Sequence, residues 1–209
     1  KRWKGFEAYR GALEAARRAK APIVALNART EVIRGVARGG GVAKLDPALR
    51  KELPAEMVVK DPAYEKLLNL QMMVHAGATA EMLRPMVEAQ IARDEAMAAA
   101  IAAFLQSEAG RDRLMIVLCG SGRVVYGLGT PARVRRRLPE GKDRIVLMSE
   151  SGDVELSPEE RQLARPITIT HEQLREFGRP GDYLYAKALR EAGARPAPGQ
   201  GGEAAETAK

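Results

Sequence analysis

A glycine-rich stretch in the second half of the chain carries the side chains best suited to ligand chemistry. An apolar run at 114–118 leads into the motif Cys119-Gly120-Ser121-Gly122-Arg123, and Tyr126 follows just before a second pair of glycines, Gly127 and Gly129. A buried strand that ends in such a loop before a capped helix is the usual ligand-binding arrangement of open α/β sheets. Glycine there permits positive φ angles and lets a ligand approach the backbone. The pattern predicts a binding site at this loop.

The same loop excludes several kinds of chemistry. Ser121 lacks the Gly-x-Ser-x-Gly spacing of a hydrolase nucleophile, and the loop lacks the Lys-Ser/Thr of a phosphate-binding loop and the full dinucleotide fingerprint. Cys119 is the only cysteine, so the chain has no internal disulfide or cysteine-based zinc site. At the end of an apolar run, we interpret Cys119 as a small packed side chain.

A long helix predicted at about 80–107, capped by Thr79, places three polar side chains among apolar ones. Gln90, Arg93 and Asp94 fall inside its apolar stripe, whereas Arg84, Glu88, Glu95 and Gln106 fall on the predicted wet side. Burial of such groups costs several kcal/mol unless they are paired. Two interpretations stay open: an internal network that pins the helix to neighbouring loops, or a turn that faces a polar cleft. The stripe comprises Met82, Leu83, Met86, Val87, Met97, Ile101, Phe104 and Leu105.

The chain has two histidines, of which one is a candidate for the functional site and the other is not. His75 lies beside a glycine break between two predicted helices, where it is either a ligand or acid–base group or a capping or surface residue. His171 falls in the first turn of a predicted helix and is interpreted as structural.

Charge and composition describe a globular protein with basic regions. The 209 residues are 45% hydrophobic and 29% charged, with a net charge of +7. The first twenty residues hold seven bases and two acids, a net +5, and a second basic block contains Arg133, Arg135, Arg136 and Arg137. Solvated helix faces explain these blocks better than nucleic-acid binding, because no aromatic residues interleave the arginines. No apolar run approaches the roughly 20 residues of a membrane span.

The elements that must position these residues alternate between helix and strand. Helices are predicted at 6–19, 30–39, 47–53, 62–74 and 80–107, with Asp-Pro pairs at Asp46-Pro47 and Asp61-Pro62 as start signals. Strands are predicted at 23–26, 114–118, 145–148 and 183–185, and more weakly at 166–170. This order indicates one α/β domain over 1–192, followed by a Pro/Gly/Ala-rich tail at 193–209 expected to be disordered.

Four segments in this order resemble a known family. They are the strand at 23–27 with its helix and triple glycine, the stretch 90–98 (QIARDEAMA), the loop 119–131, and the closing Asp182-Tyr183. Over about residues 6–186 the chain resembles the C-terminal half of the ChaN-like haem-binding lipoprotein family. The family's N-terminal half, with a Glu-His motif on its first strand, is expected to be missing.

The resemblance implies a three-layer α/β/α fold with a mostly parallel sheet, like EreA and ChaN proteins, in a bacterial cell-envelope protein that is periplasmic or lipid-anchored. It implies haem held by a tyrosine, which makes Tyr126 the expected iron ligand, with His75, Arg123 and Arg133 as partners of the propionates. Gln90 and Asp94 are expected to line the same cleft. Arg123 stands where the family usually has a histidine, and arginine does not ligate iron.

The expected partners and activity follow from the same resemblance. A second subunit would complete the pocket, so a homodimer or an envelope partner is expected, with membrane anchoring through the missing N-terminus. Haem and iron handling without chemical turnover is the first hypothesis. The alternatives are a hydrolase-like enzyme using His75 and Asp94, and an interaction subunit that binds partners through basic surfaces.

Overall fold

The computed structural model describes residues 6–72, 79–149 and 175–186. Within them the chain is mostly helical, with two short strands that form one parallel pair. The three-residue 3₁₀ turns are Val42–Lys44, Ser121–Arg123 and Val125–Gly127. The helices are α1 (Phe6–Arg18), α2 (Thr30–Gly39), α3 (Pro47–Arg50), α4 (Pro62–Met72), α5 (Ala80–Gln106) and α6 (Thr130–Arg137), and the strands are β1 (Val146–Ser149) and β2 (Tyr183–Ala186).

Helix α5 is the centre of the described fold, because α2, α4 and α6 all pack against it. One apolar cluster joins Val32, Ile33 and Val36 of α2 to Ala89 and Ala92 of α5. A second cluster joins α4 to α5 and contains Tyr64, Leu67, Leu68, Val87 and Ile91. With neighbours on several sides, α5 buries more than one stripe of its surface.

This packing corrects the predicted faces of α5. Glu95, predicted on the wet side, is fully buried, while Met82 and Met86 of the predicted apolar stripe are exposed. Leu83, Val87, Met97 and Ile101 of that stripe are buried as predicted. The prediction of a single apolar stripe assumes that only one face of α5 is covered, whereas α6 covers a second face of this helix.

Three of the predicted helix starts are confirmed by their side-chain caps, whereas α2 begins at Thr30 after Arg29 without a side-chain cap. Asp46 Oδ1 accepts from the backbone N–H of Ala48 at 2.8 Å, and Asp61 Oδ1 accepts from that of Tyr64 at 3.2 Å. Thr79 Oγ1 accepts from the Met82 N–H at 3.3 Å. These caps satisfy N–H groups that a helix leaves unpaired in its first turn.

The strand predictions divide into two groups. β1 and β2 confirm the predicted strands at 145–148 and 183–185, with Val146 opposite Tyr183 in a parallel register. The predictions of strands at 23–26 and 114–118 are wrong, since neither segment forms a ladder within the described part of the chain. An apolar run becomes a strand only beside a partner backbone, and 114–118 instead leaves Leu114, Ile116 and Leu118 between 51% and 89% exposed. The prediction at 166–170 lies outside the described residues.

Candidate functional site

The glycine loop presents Tyr126 in an unusual backbone conformation. Tyr126 has φ 58° and ψ 7°, the left-handed region that side chains rarely adopt, and Gly127 follows with φ 69°. The Tyr126 N–H donates to the Pro180 carbonyl at 2.8 Å, and its ring lies 5.4 Å from that of Phe177. The segment around 177–180 therefore fixes this turn of the loop.

Gly129 brings the loop close to helix α4. A methyl group at Gly129 would collide with the Arg123 carbonyl and would lie 2.9 Å from the Tyr64 hydroxyl. Only glycine permits this approach, which places Arg123 and the start of α6 over α4. The conformation of the loop is thus built into its sequence.

The carboxylate of Asp94 is the centre of a buried polar network. Asp94 is 0% exposed, and both of its oxygens accept hydrogen bonds. Oδ2 accepts from the Tyr64 hydroxyl at 2.7 Å and from Gln90 Nε2 at 3.1 Å, while Oδ1 accepts from Thr130 Oγ1 at 3.0 Å and Arg123 Nη1 at 3.1 Å. The network joins α4, α5, the glycine loop and α6. Of the two interpretations that the sequence left open, the internal network is the one observed for Gln90 and Asp94.

This network also determines the protonation of Tyr64. Burial raises the pKa of the Tyr64 hydroxyl far above its usual range, and the charge of Asp94 raises it further. The hydroxyl therefore stays protonated and donates to the carboxylate. The guanidinium of Arg133 lies 4.8 Å from the centre of the Tyr64 ring, a cation–π contact on its face.

Arg133, expected as a propionate partner, lies in the interior. It is 1% exposed, and its Nη1 donates to the carbonyls of Leu128 and Gly129 at 2.8 and 3.1 Å. Its Nη2 lies 3.3 Å from Asp61 Oδ2. These contacts hold the loop against the start of α4.

Glu95, predicted on the wet side of α5, is the centre of a second buried cluster. It is 0% exposed, and its carboxylate contacts Arg136 at 2.7 Å, Arg137 at 2.5 Å and Arg133 at 3.3 Å. The backbone N–H of Val58 donates to it as well, at 3.1 Å. The spacing of the three arginines could have predicted this cluster. It places them on one face of α6, where a buried carboxylate opposite them would neutralise their charge.

The remaining candidate residues are placed as follows. Tyr126 is half-buried beside the apolar side chains of the second cluster, and burial raises the pKa of its hydroxyl. That hydroxyl makes no hydrogen bond to any residue that the structure describes. Burial likewise raises the pKa of the Cys119 thiol, which fits a packed side chain. His75 and His171 lie outside the described residues.

The site therefore brings together Gln90, Asp94 and Arg123, with Tyr126 three residues further along the same loop. A phenol that makes no hydrogen bond within the described part of the chain, its apolar neighbours and an arginine of the same loop form a donor set that fits ferric haem, whose iron accepts a phenolate and whose propionates pair with cations. In the described ranges, no three His, Cys, Asp or Glu side chains gather as metal ligands. None of the described helices has the length and hydropathy to cross a membrane.

Two open clefts lie away from Tyr126. One, of about 430 Å³, is lined by α2, the following turn and α3, and its lining includes Arg34, Arg38 and Lys44. The other, of about 470 Å³, lies between the second half of α5 and the arginines Arg136 and Arg137. Tyr126 lines neither of these two clefts.

With this geometry in place, comparison with known proteins defines the class. The chain belongs to the family described as haem-binding uptake, Tiki superfamily, ChaN, whose model matches residues 1–134. The match includes the loop, all of α5 and the Asp94 network, and it ends before the Asp182-Tyr183 motif. A search of curated proteins and a search of solved structures each gave no match.

Proposed function

We propose that this protein binds ferric haem through the hydroxyl oxygen of Tyr126 and serves haem or iron handling in a bacterial cell envelope. The observation that carries the proposal is the conformation and environment of Tyr126. A haem-binding family member holds a tyrosine in a left-handed turn, with its hydroxyl free of hydrogen bonds to the described residues. Such a turn orients a side chain at a cost in backbone energy, which functional sites often bear.

The protonation of Tyr126 makes binding dependent on pH. Since burial raises the pKa of its hydroxyl, the free protein holds it as the neutral phenol at neutral pH. Ferric haem, when bound, supplies a positive iron that favours the phenolate. Binding must therefore release a proton from Tyr126, and haem affinity should rise with pH until the free phenol itself titrates.

The remaining residues have supporting roles in this proposal. Asp94 fixes Arg123 at the mouth of the loop, where its guanidinium pairs with a propionate. Arg133 acts from the interior by holding the loop, and Gln90 orients Asp94. His75 remains a proposed second partner. Tyr126 is only partly buried, which supports the further proposal that a second subunit or an envelope partner covers the haem. We propose a three-layer α/β/α fold for the whole domain.

A titration with ferric haem tests the proposed ligand. Wild-type protein should give a tyrosinate-type spectrum with a shifted Soret band, and Tyr126→Phe should lose that spectrum. Tyr183→Phe is the matched control, because Tyr183 is an exposed tyrosine on β2 and should leave the spectrum unchanged. The proposal is wrong if the wild-type titration gives no Soret shift, or if the Tyr126→Phe variant gives the same shift as the wild type.

The hydrolase alternative receives no support from the placement of Asp94. Its two oxygens already accept four hydrogen bonds in a site without solvent access. A general base needs an oxygen within reach of the substrate proton. Asp94 is thus better explained as the residue that holds the loop.

A further inference from the structure

The motif Asp182-Tyr183 fastens the start of β2 to Ile145, the residue directly before β1. The backbone N–H of Ile145 donates to Asp182 Oδ2 at 2.7 Å. The carbonyl of Ile145 accepts in turn from the N–H groups of Asp182 and Tyr183, at 2.9 and 3.0 Å. Both main-chain polar groups of Ile145 are therefore paired with this motif, and the bond to the carboxylate is strengthened by its charge.

Gly181 lets the two segments approach closely at this junction. A methyl group at Gly181 would lie 3.2 Å from the Ile145 carbonyl oxygen and 3.2 Å from Leu147 Cγ, closer than ordinary van der Waals contact. A side chain at this position would push the segment away from β1. Gly181 and Asp182 thus supply the space and the acceptor that the junction needs.

The same junction lies against the glycine loop. The carbonyl of Pro180, two residues before Asp182, accepts from the Tyr126 N–H at 2.8 Å. Ile145 approaches the next residue of the loop, since its Cδ1 would lie 3.6 Å from a methyl group at Gly127. Tyr126 and Gly127 have φ angles of 58° and 69°. Both left-handed residues of the loop therefore lie beside the junction that Asp182 closes.

A left-handed tyrosine keeps its conformation only where its surroundings hold it, because such a backbone is costly for a residue with a Cβ atom. Pro180 holds the N–H of Tyr126 and Phe177 packs on its ring, and both belong to the segment that Asp182 fastens to β1. This segment lies beyond residue 134, where the family match ends. The match thus includes the tyrosine but not these residues that hold it.

We infer that Asp182 is a positioning residue for Tyr126: its bond to Ile145 keeps Pro180 against the loop and maintains the left-handed turn that presents the phenol. The inference rests on the proposed function only for the ligand that the phenol binds, since the contacts from Asp182 to Tyr126 involve no ligand. Ile145 belongs to neither apolar cluster around α5, so loss of the carboxylate should release Tyr126 without unfolding that helix.

Amide hydrogen exchange, followed by NMR on the complete chain without ligand, tests how Tyr126 is held. In Asp182→Ala the Tyr126 amide should exchange at least about tenfold faster than in the wild type, the scale of one lost hydrogen bond to a charged group. The amide of Ile91, buried in α5, reports opening of the whole fold. Its exchange rate should change by less than about twofold.

Two further variants control for the loss of charge. Asp182→Asn keeps an oxygen that can accept from Ile145, so it should retain most of the protection of Tyr126. Glu176→Ala removes a carboxylate from the same segment, one whose partner is the exposed Lys66, and should exchange like the wild type.

Titration of the same variants with ferric haem connects this positioning to the proposed ligand. Asp182→Ala should bind haem about tenfold more weakly and lose intensity in the tyrosinate spectrum, because the phenol no longer holds one direction. Asp182→Asn and Glu176→Ala should keep the affinity and the spectrum of the wild type.

The outcomes separate the inference from the proposed function. The inference is overturned if Tyr126 exchanges at the wild-type rate in Asp182→Ala, if Ile91 accelerates as much as Tyr126, or if faster exchange leaves haem binding unchanged. A wild-type chain that binds no haem refutes the proposed function alone, and the exchange rates then still decide whether Asp182 holds Tyr126. If Asp182→Ala does not fold, Gly181→Ala displaces the same segment, and an unchanged Tyr126 rate in that variant overturns the inference.

Discussion

Asp94→Asn is the most informative perturbation of the buried network, because every contact to Asp94 comes from a donor. Asparagine keeps the shape but replaces one accepting oxygen by an NH₂ group. The hydroxyls of Tyr64 and Thr130 can rotate to accept from it, and the Gln90 amide can flip. Arg123 has no acceptor and loses its counter-ion whichever way the asparagine points.

The expected cost follows from the burial of the two partners. Removing one member of a fully buried ion pair costs about 3–5 kcal/mol. Asp94 is 0% exposed but Arg123 is 18% exposed, so water recovers part of the loss for the arginine. We expect Asp94→Asn to lower the free energy of unfolding by about 2–3 kcal/mol. At roughly 2–4 °C per kcal/mol for a chain of this size, the melting temperature should fall by about 4–12 °C.

Urea unfolding of the complete chain, followed by circular dichroism, measures this loss. Asp112→Asn is the control, since Asp112 is 91% exposed and its removal should change stability by less than about 0.5 kcal/mol. A double-mutant cycle with Arg123→Gln isolates the pair. A loss below about 1 kcal/mol for Asp94→Asn, or strict additivity in the cycle, would refute the assigned role of Asp94.

Two further predictions concern the glycine loop. Gly129→Ala should lower the free energy of unfolding by about 1–3 kcal/mol, because the added methyl strikes the Arg123 carbonyl and crowds Tyr64. Gly120→Ala meets open space, so equal urea midpoints for the two variants would contradict the close approach. Burial raises the pKa of Cys119, so its alkylation by iodoacetamide at about pH 8 should be at least about tenfold slower in the native chain than in concentrated urea. The difference should narrow as the pH rises, and equal rates at pH 8 would show an accessible thiolate.

Local signals predicted the helices well. Asp46, Asp61 and Thr79 each begin a helix where the sequence places the start, because a cap acts on N–H groups only two or three residues away. The left-handed Gly40 ends α2 in the same local way. The sequence also predicts one part of the candidate site, the polar turn of α5. Gln90 and Asp94 interrupt the apolar periodicity of that helix, and this interruption can be recognised from the helix alone.

The rest depended on contacts between distant segments. The periodicity of α5 predicts Glu95 on the wet side, because the sequence of one helix carries no information about α6, which covers that face. Tyr64 gave no sign of its bond to Asp94, which joins residues 30 positions apart. The segments 23–26 and 114–118 have strand-like composition, yet a ladder needs a neighbouring backbone, and none of the described segments provides it.

The exposed face of 114–118 has a consequence for the behaviour of the protein at high concentration. The uncharged apolar run 114–118 is exposed at Leu114, Ile116 and Leu118 and forms no ladder with any segment that the structure describes. Such a run is a template for strand addition between molecules. The charged residues Arg111, Asp112 and Arg113 directly precede it and act as gatekeepers that oppose such pairing by repulsion between copies. Added salt screens this repulsion, so self-association of the purified chain should increase with ionic strength rather than decrease.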